Sequence, residues 1–140
     1  MILVDVNIFC DCATKREGWG NSTIILFKVK NGLIKGYISA LTIPLLYFYI
    51  KEGGFDLPII REFTKELTDK FEVIPLTEKI IQEAYGSGLT DFEDAIQYHS
   101  AIEVTCSAII TRNTKDFAKV KKSIKIYTPE EYIAIYGSAV

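Results

Sequence analysis

Met1-Ile2-Leu3-Val4-Asp5 opens the chain with a short, apolar, partly β-branched run that stops sharply at an acid. A strand covered on one face alternates apolar and polar residues, whereas an unbroken apolar run marks a strand covered on both, as in a parallel sheet flanked by helices. The acid matters as much as the run. Functional groups of open α/β sheets collect beyond the carboxyl ends of the strands. Asp5 therefore stands where chemistry would sit, although it can also simply end the strand and cap the next turn.

Working outward, Asn21–Asn31 carries apolar residues at helical spacing, and Gly32 supplies a stop. Lys35–Ser39 is a second short strand. Leu41–Lys51 is a buried helix with Pro44 in its first turn and Gly53-Gly54 after its end. Pro58–Lys70 is an amphipathic helix, Phe71–Ile74 a third strand, and Thr77–Tyr85 a helix begun by Thr77. After Gly86-Ser87-Gly88, the segment Thr90-Asp91-Phe92-Glu93 has the form of a capping box and starts a helix over Asp91–Val104. Ser107–Thr111 and Ile124–Ile126 are a fourth and a fifth strand, and Thr128-Pro129-Glu130-Glu131 starts a last helix. Alternation of this kind predicts an α/β fold with a mainly parallel central sheet of about five strands between two helical layers.

The 140 residues, 49% of them hydrophobic, suit one domain spanning 1–140, with no repeat or linker. No apolar stretch approaches the roughly 20 residues of a membrane span. The start has neither the basic flank nor the apolar run of a signal peptide, so a cytoplasmic location is expected. Cys10, Cys12 and Cys106 are odd in number and lack the paired spacing of a zinc site or disulfide scaffold. The Asn21-Ser22-Thr23 triplet, a glycosylation acceptor only in a secreted protein, is better explained as a polar helix start. A net charge of −2 does not mark a nucleic-acid binder as a whole. Arg112, Lys115, Lys119, Lys121, Lys122 and Lys125 nonetheless crowd one segment, either as a phosphate-facing patch or as a solvated surface.

The acids carry the chemistry. Asp5 ends the first strand, Asp91 and Asp94 occupy a helix start, and Asn113 and Asp116 follow the fourth strand. Singly, each has a structural explanation as a cap or helix-terminus charge. Together, on one sheet edge, they would repel one another, and a hard cation such as Mg²⁺ or Mn²⁺ relieves that repulsion.

Three segments, Val4-Asp5-Val6-Asn7-Ile8, Asp91-Phe92-Glu93-Asp94-Ala95-Ile96-Gln97 and Ile110-Thr111-Arg112-Asn113-Thr114-Lys115-Asp116-Phe117, resemble in order and spacing the signature stretches of PIN domains. The closing Thr128-Pro129-Glu130-Glu131-Tyr132 fits as well, so the resemblance covers nearly the whole chain. It implies a PIN-like three-layer fold and a metal-dependent endoribonuclease, commonly the toxin of a VapBC-type toxin–antitoxin pair, with RNA as substrate, an antitoxin partner and a homodimeric state. Asp5 and Asp94 match family metal ligands; the last family acid falls on Asn113 or Asp116, and Asp116 is favoured because a carboxylate offers a cation more. Asp91 would hold a second ion or a water. Thr111, Arg112, Asn113 and Lys115 would contact RNA phosphates or order their loop.

One departure stands out. Where the family places a glutamate early in the helix after the second strand, in a pattern like Thr-x-x-Glu-Leu, this chain has Leu45. Asp11 and Glu93 are the acids considered as partial substitutes. The alternative function is accordingly a PIN-like RNA- or protein-binding module with weakened catalysis. His99, the only histidine, lies five residues beyond Asp94 and is expected to be structural, and Trp19 and the eight tyrosines, which could stack on bases, are expected as core or dimer-interface residues. A haloacid-dehalogenase-type phosphatase would want a second acid in Asp5-Val6-Asn7, and a receiver domain an aspartate after the third strand; Asn7 and Ile74-Pro75-Leu76 supply neither.

Overall fold

The computed structural model describes residues 1–137. Strands β1 (Ile2–Val4), β2 (Gly36–Ser39), β3 (Glu72–Ile74), β4 (Ala108–Ile110) and β5 (Lys125–Tyr127) form one wholly parallel sheet in the order β3-β2-β1-β4-β5. The apolar run that opens the chain is its central strand. Leu3 pairs with Tyr37 on one side and Ile109 on the other.

Because side chains alternate across a strand, β1 feeds two separate cores. Ile2 and Val4, with Ile38, Ala108 and Ile110, pack beneath α1 (Val6–Thr14), α2 (Trp19–Lys30), α3 (Thr42–Glu52) and α4 (Leu57–Lys70), together with Tyr132 of α7 (Pro129–Tyr136). Leu3, Tyr37, Ile74 and Ile109 face α5 (Glu78–Tyr85), α6 (Phe92–Glu103) and a 3-10 helix over Thr114–Val120. The result is the expected three-layer α/β/α arrangement. Among the described residues, no helix is long and apolar enough to cross a membrane.

Helix starts follow local chemistry. Thr77 caps α5 by accepting from Ile80 N, and Thr128 with Glu131 forms a reciprocal capping box ahead of Pro129. Three expectations need correction. The residues after Asp5 form a nine-residue helix, α1, where no helix was expected. Only Asp5, its N-cap, separates the apolar side chains Val6, Ile8, Phe9 and Cys10 from those of the strand, and so short an interval does not announce a helix. The helix of residues 21–31 begins earlier, at Trp19, and Ser22 is buried within it rather than serving as a polar start. The cap of α6 is Asp91, not Thr90: Asp91 Oδ1 accepts from Asp94 N at 3.0 Å, which moves the helix start by one residue and places Asp94 in its first turn.

Two glycines fix close approaches. A Cβ on Gly36 would meet the Phe71 ring and Val29 at 2.8 Å, so β2 admits no side chain where α2 and the end of α4 cross it. Gly18 combines a φ of 81° with a would-be Cβ 2.7 Å from the Arg112 guanidinium.

Candidate active site

The carboxyl ends of β1 and β4 and the N-terminus of α6 meet at one edge of the sheet. There a cleft of about 370 Å³ is lined by Asp5, Val6, Asn7, Cys10, Thr14, Arg16, Tyr49, Asp91, Glu93, Asp94 and Asn113. An adjoining depression is lined by Asp91, Lys115 and Asp116, so Asp91 borders both.

Asp5 is buried and held from several directions. Oδ1 accepts from Val6 N at 2.7 Å; Oδ2 accepts from the Thr111 hydroxyl at 2.7 Å and from Asn7 Nδ2 at 3.3 Å. The same Thr111 oxygen accepts from Asn113 N, and Asn7 Oδ1 accepts from Arg112 N. The loop after β4 is thus stitched to the start of α1 around one carboxylate. Burial pushes the Asp5 pKa up to about 6, opposed by the Thr111 and Val6 hydrogen bonds and assisted by the nearby charges of Glu93 and Asp91.

Asp94 is different. Its Oδ2 is buried and has no hydrogen-bond partner. Burial, followed by repulsion from Asp5, Asp91, Asp116 and Glu93, pushes its pKa up to about 7. A buried carboxylate oxygen without a donor calls for an explanation, and a cation supplies one. The donors facing the cleft are hard carboxylate and amide oxygens, which suits Mg²⁺ or Mn²⁺. Among the described residues, no three acidic, histidine or cysteine side chains converge closely enough to hold an ion as they stand.

The other expected residues divide. Asn113 lines the main cleft, whereas Asp116, exposed on the 3-10 helix, borders the adjoining depression and acts on Asp94 through its charge. Thr111 is fully buried, and its hydroxyl is engaged by Asp5 and Asn113. Lys115 is exposed beside Asp116. Arg112 turns away: its guanidinium binds Asp11 at 2.7 Å, Gly18 O at 2.9 Å, Ser22 Oγ at 3.0 Å and the Glu130 carboxylate. That geometry ties the loop to α1, α2 and α7 and commits the cation on which a phosphate contact was expected. His99 Nδ1 lies 3.3 Å from Glu83 of α5, away from the cleft.

Of the two acids considered for the role absent at Leu45, Glu93 lines the cleft, with the Tyr49 hydroxyl 3.5 Å from its Oε2. Asp11 does not; it is buried between Arg112, Arg16 and Ser22. Leu45 packs against the core beneath α3. The residues that sequence reasoning passed over are Asn7, Arg16 and Tyr49. Asn7 lies within the Val4–Ile8 stretch, where Asp5 carries the signal. Arg16 follows a helix that had not been recognised, and Tyr49 sits among several tyrosines that looked like core. Cys10 also borders the cleft, but burial pushes its thiol up to about 11, which makes it a poor nucleophile at neutral pH.

A wholly parallel sheet with buried carboxylates beyond β1 and at the head of a facing helix defines an α/β domain with an acid-lined cleft. The PIN domain profile matches residues 1–115, and the chain belongs to that family. Among solved structures, a toxin-antitoxin complex from Klebsiella pneumoniae has a chain with 23% identity and a TM-score of 0.69, covering 92% of this chain and 98% of its own. A chain of FitAB bound to an IR36 DNA fragment has 18% identity and a TM-score of 0.63, covering 92% and 95%. A comparison with curated proteins gives no match.

Proposed function

We propose that this PIN domain is a divalent-metal-dependent endoribonuclease that serves as the toxin of a toxin–antitoxin pair. The single observation that carries the reading is Asp94 Oδ2, buried, without a donor, and in a cleft shared with Asp5. Asp5 and Asp94 would hold the ion, with Asp116, or Asn113 in its place, completing the set and Asp91 available to a second ion or a water. A Mg²⁺ or Mn²⁺ ion bound there would activate water for attack on a phosphodiester and counter the charge that develops on it. Thr111 and Asn7 keep Asp5 in one orientation, the N-terminal dipole of α6 favours negative charge at Asp94, and Asn113 and Lys115 border the path an RNA strand would take.

Similarity to a chain of a toxin-antitoxin complex favours a protein partner for this chain, an antitoxin. Trp19, Ile24 and Phe27 on α2, with Ile135 and Tyr136 on the α7 that packs against it, are exposed and would gain from being covered by that partner or by a second copy in a homodimer. The proposed setting is the cytoplasm.

Calorimetry with Mn²⁺ on the wild type and Asp94→Asn, alongside cleavage of a mixed RNA pool, tests the reading. Binding and cutting by the wild type, both lost in the variant, are the expected result. A second reading rests on the acids that do not converge and on Leu45: an RNA- or protein-binding module without efficient cleavage. Wild-type protein that binds RNA but neither binds millimolar Mn²⁺ nor cuts would favour it.

A further inference from the structure

The proposed substrate is a polyanion, yet the cleft presents Asp5, Asp91, Glu93 and Asp94 to it. Even with a divalent ion bound, a phosphodiester entering such a site needs positive charge from the protein. Arg112, expected for that task, is committed elsewhere. Among the residues lining the cleft, Arg16 is the only basic one.

The position of Arg16 follows from how α1 ends. Lys15 adopts a left-handed conformation with φ 53° as the C-cap, and the chain turns back so that Arg16 N donates to Asp11 O at 3.3 Å. The guanidinium then lies along the helix it has just left. Nε sits 3.2 Å from Asp11 Oδ1, and Nη2 donates to Asn7 O at 3.2 Å. Of the five N–H donors of an arginine, one is hydrogen-bonded, to Asn7 O, while the Nε contact with Asp11 is an ion pair. The others have no protein partner among the described residues, and the side chain is 53% exposed.

Asp11 thereby serves two arginines with opposite assignments. Its Oδ2 takes Arg112, which is 24% exposed and bonded to the surrounding helices, whereas its Oδ1 steadies Arg16, which stays open to the cleft. A half-anchored guanidinium beside a cluster of acids is suited to bidentate capture of a phosphate, because part of its conformational entropy is already lost before the ligand arrives. From this juxtaposition we infer that Arg16 is the phosphate-binding residue of the cleft, receiving a phosphodiester of the single-stranded RNA. The inference rests on the nuclease reading above and adds a specific contact to it.

The test measures binding of a short fluorescein-labelled single-stranded RNA in Ca²⁺ across a salt series, for the full chain, Arg16→Gln, Arg16→Lys and Lys35→Gln. Lys35 precedes β2 at the opposite edge of the sheet, so Lys35→Gln removes the same charge far from the cleft. Arg16→Gln is expected to weaken binding about tenfold and to reduce the salt slope by about 0.7, the value for one lost single-strand phosphate contact. Mn²⁺ affinity should stay within about twofold of wild type, Arg16→Lys should recover most of the salt slope, and Lys35→Gln should match wild type. An Arg16→Gln protein that binds and cuts RNA like wild type overturns the inference and leaves the nuclease reading standing. So does a loss of Mn²⁺ affinity and thermal stability in parallel with RNA binding that Arg16→Lys does not restore, since Arg16 would then only tie down α1. A wild type that neither binds nor cuts RNA removes both.

Discussion

The end of β1 and the first turn of α6 each place a buried aspartate in the same cleft, and the two are treated in opposite ways. Asp5 receives hydrogen bonds from Val6, Thr111 and Asn7, so the fold fixes its orientation unaided. Asp94 contributes to its own helix start through its backbone N–H, bonded to Asp91, while its Oδ2 is left without a donor. The contrast separates two tasks. One acidic arm of the cleft is held in place by the fold, and the other keeps a buried oxygen whose lone pairs no group of the described chain engages. Breaking each arm in turn should have distinguishable consequences.

The largest effect belongs to Asp94→Asn. Removing the less compensated charge should abolish Mn²⁺ binding and lower RNA cleavage by on the order of a thousandfold. The metal-free fold should become more stable, because a buried charge repelled by Asp5, Asp91, Asp116 and Glu93 is gone. Urea denaturation in EDTA measures the second part. A destabilised Asp94→Asn would mean that the carboxylate has a structural partner after all, and the contrast with Asp5 would collapse.

Thr111→Val strikes the preset arm. The valine keeps the volume but removes the shortest donor to Asp5 Oδ2 and the acceptor for Asn113 N. We expect a loss of about 1–3 kcal/mol in stability at neutral pH and about 10–100-fold weaker Mn²⁺ binding, the range for partners that orient a ligand. Thr111→Ser should restore both. Recovery of stability without recovery of metal affinity would count against a positioning role.

The two acids also predict a pH signature. Their folded pKa values, about 6 for Asp5 and about 7 for Asp94, lie above the 3.8 of an unperturbed aspartate. The folded state therefore binds more protons than the unfolded one between those values. The contribution is fully favourable below about pH 4 and is lost as pH rises through 6 and 7. Each unit of displacement corresponds to about 1.4 kcal/mol, so the metal-free wild type should lose stability over this window, and Asp94→Asn should lose less. On the proposed metal-binding role of the two acids, Mn²⁺ should reverse the trend by binding the deprotonated pair, and its apparent affinity should climb through the same window. A pH-independent Mn²⁺ affinity would sink this account.

How far the sequence foretold this contrast depends on the range of the interactions. The unbroken Ile2-Leu3-Val4 run announced a doubly covered central strand, and Thr77 and Thr128 announced their helices, because burial period and capping are local. Asp5 and Asp94 could be picked out together because both sit at strand or helix ends that an α/β sheet brings to one edge. What distinguishes them could not be read in the same way. The Asp5–Thr111 bond spans 106 residues, and the orphaned oxygen of Asp94 is a property of packing. The fate of Arg112 was hidden for the same reason, since its partners Asp11, Ser22 and Glu130 lie on three different helices. The missed helix α1 is a local failure: a single residue, Asp5, separates its apolar residues from those of the strand, and Arg16 is lost from view along with it.

The smallest change is expected at Glu93, which stands between the two arms. Its carboxylate lines the cleft, lies within reach of the Tyr49 hydroxyl and raises the pKa of both Asp5 and Asp94 by its charge. If that charge acts only through space, Glu93→Gln should ease the deprotonation of both aspartates and shift the pH midpoint of Mn²⁺ binding downward by a fraction of a unit, with affinity at neutral pH changing only a few-fold. If Glu93 instead takes the role left empty at Leu45, the same substitution removes a ligand, and Mn²⁺ binding and cleavage fall nearly as far as in Asp94→Asn. Calorimetry on the two variants at one pH decides between a neighbour of the site and a member of it, and a large loss would mean that the first turn of α6 supplies two arms while the end of β1 supplies one.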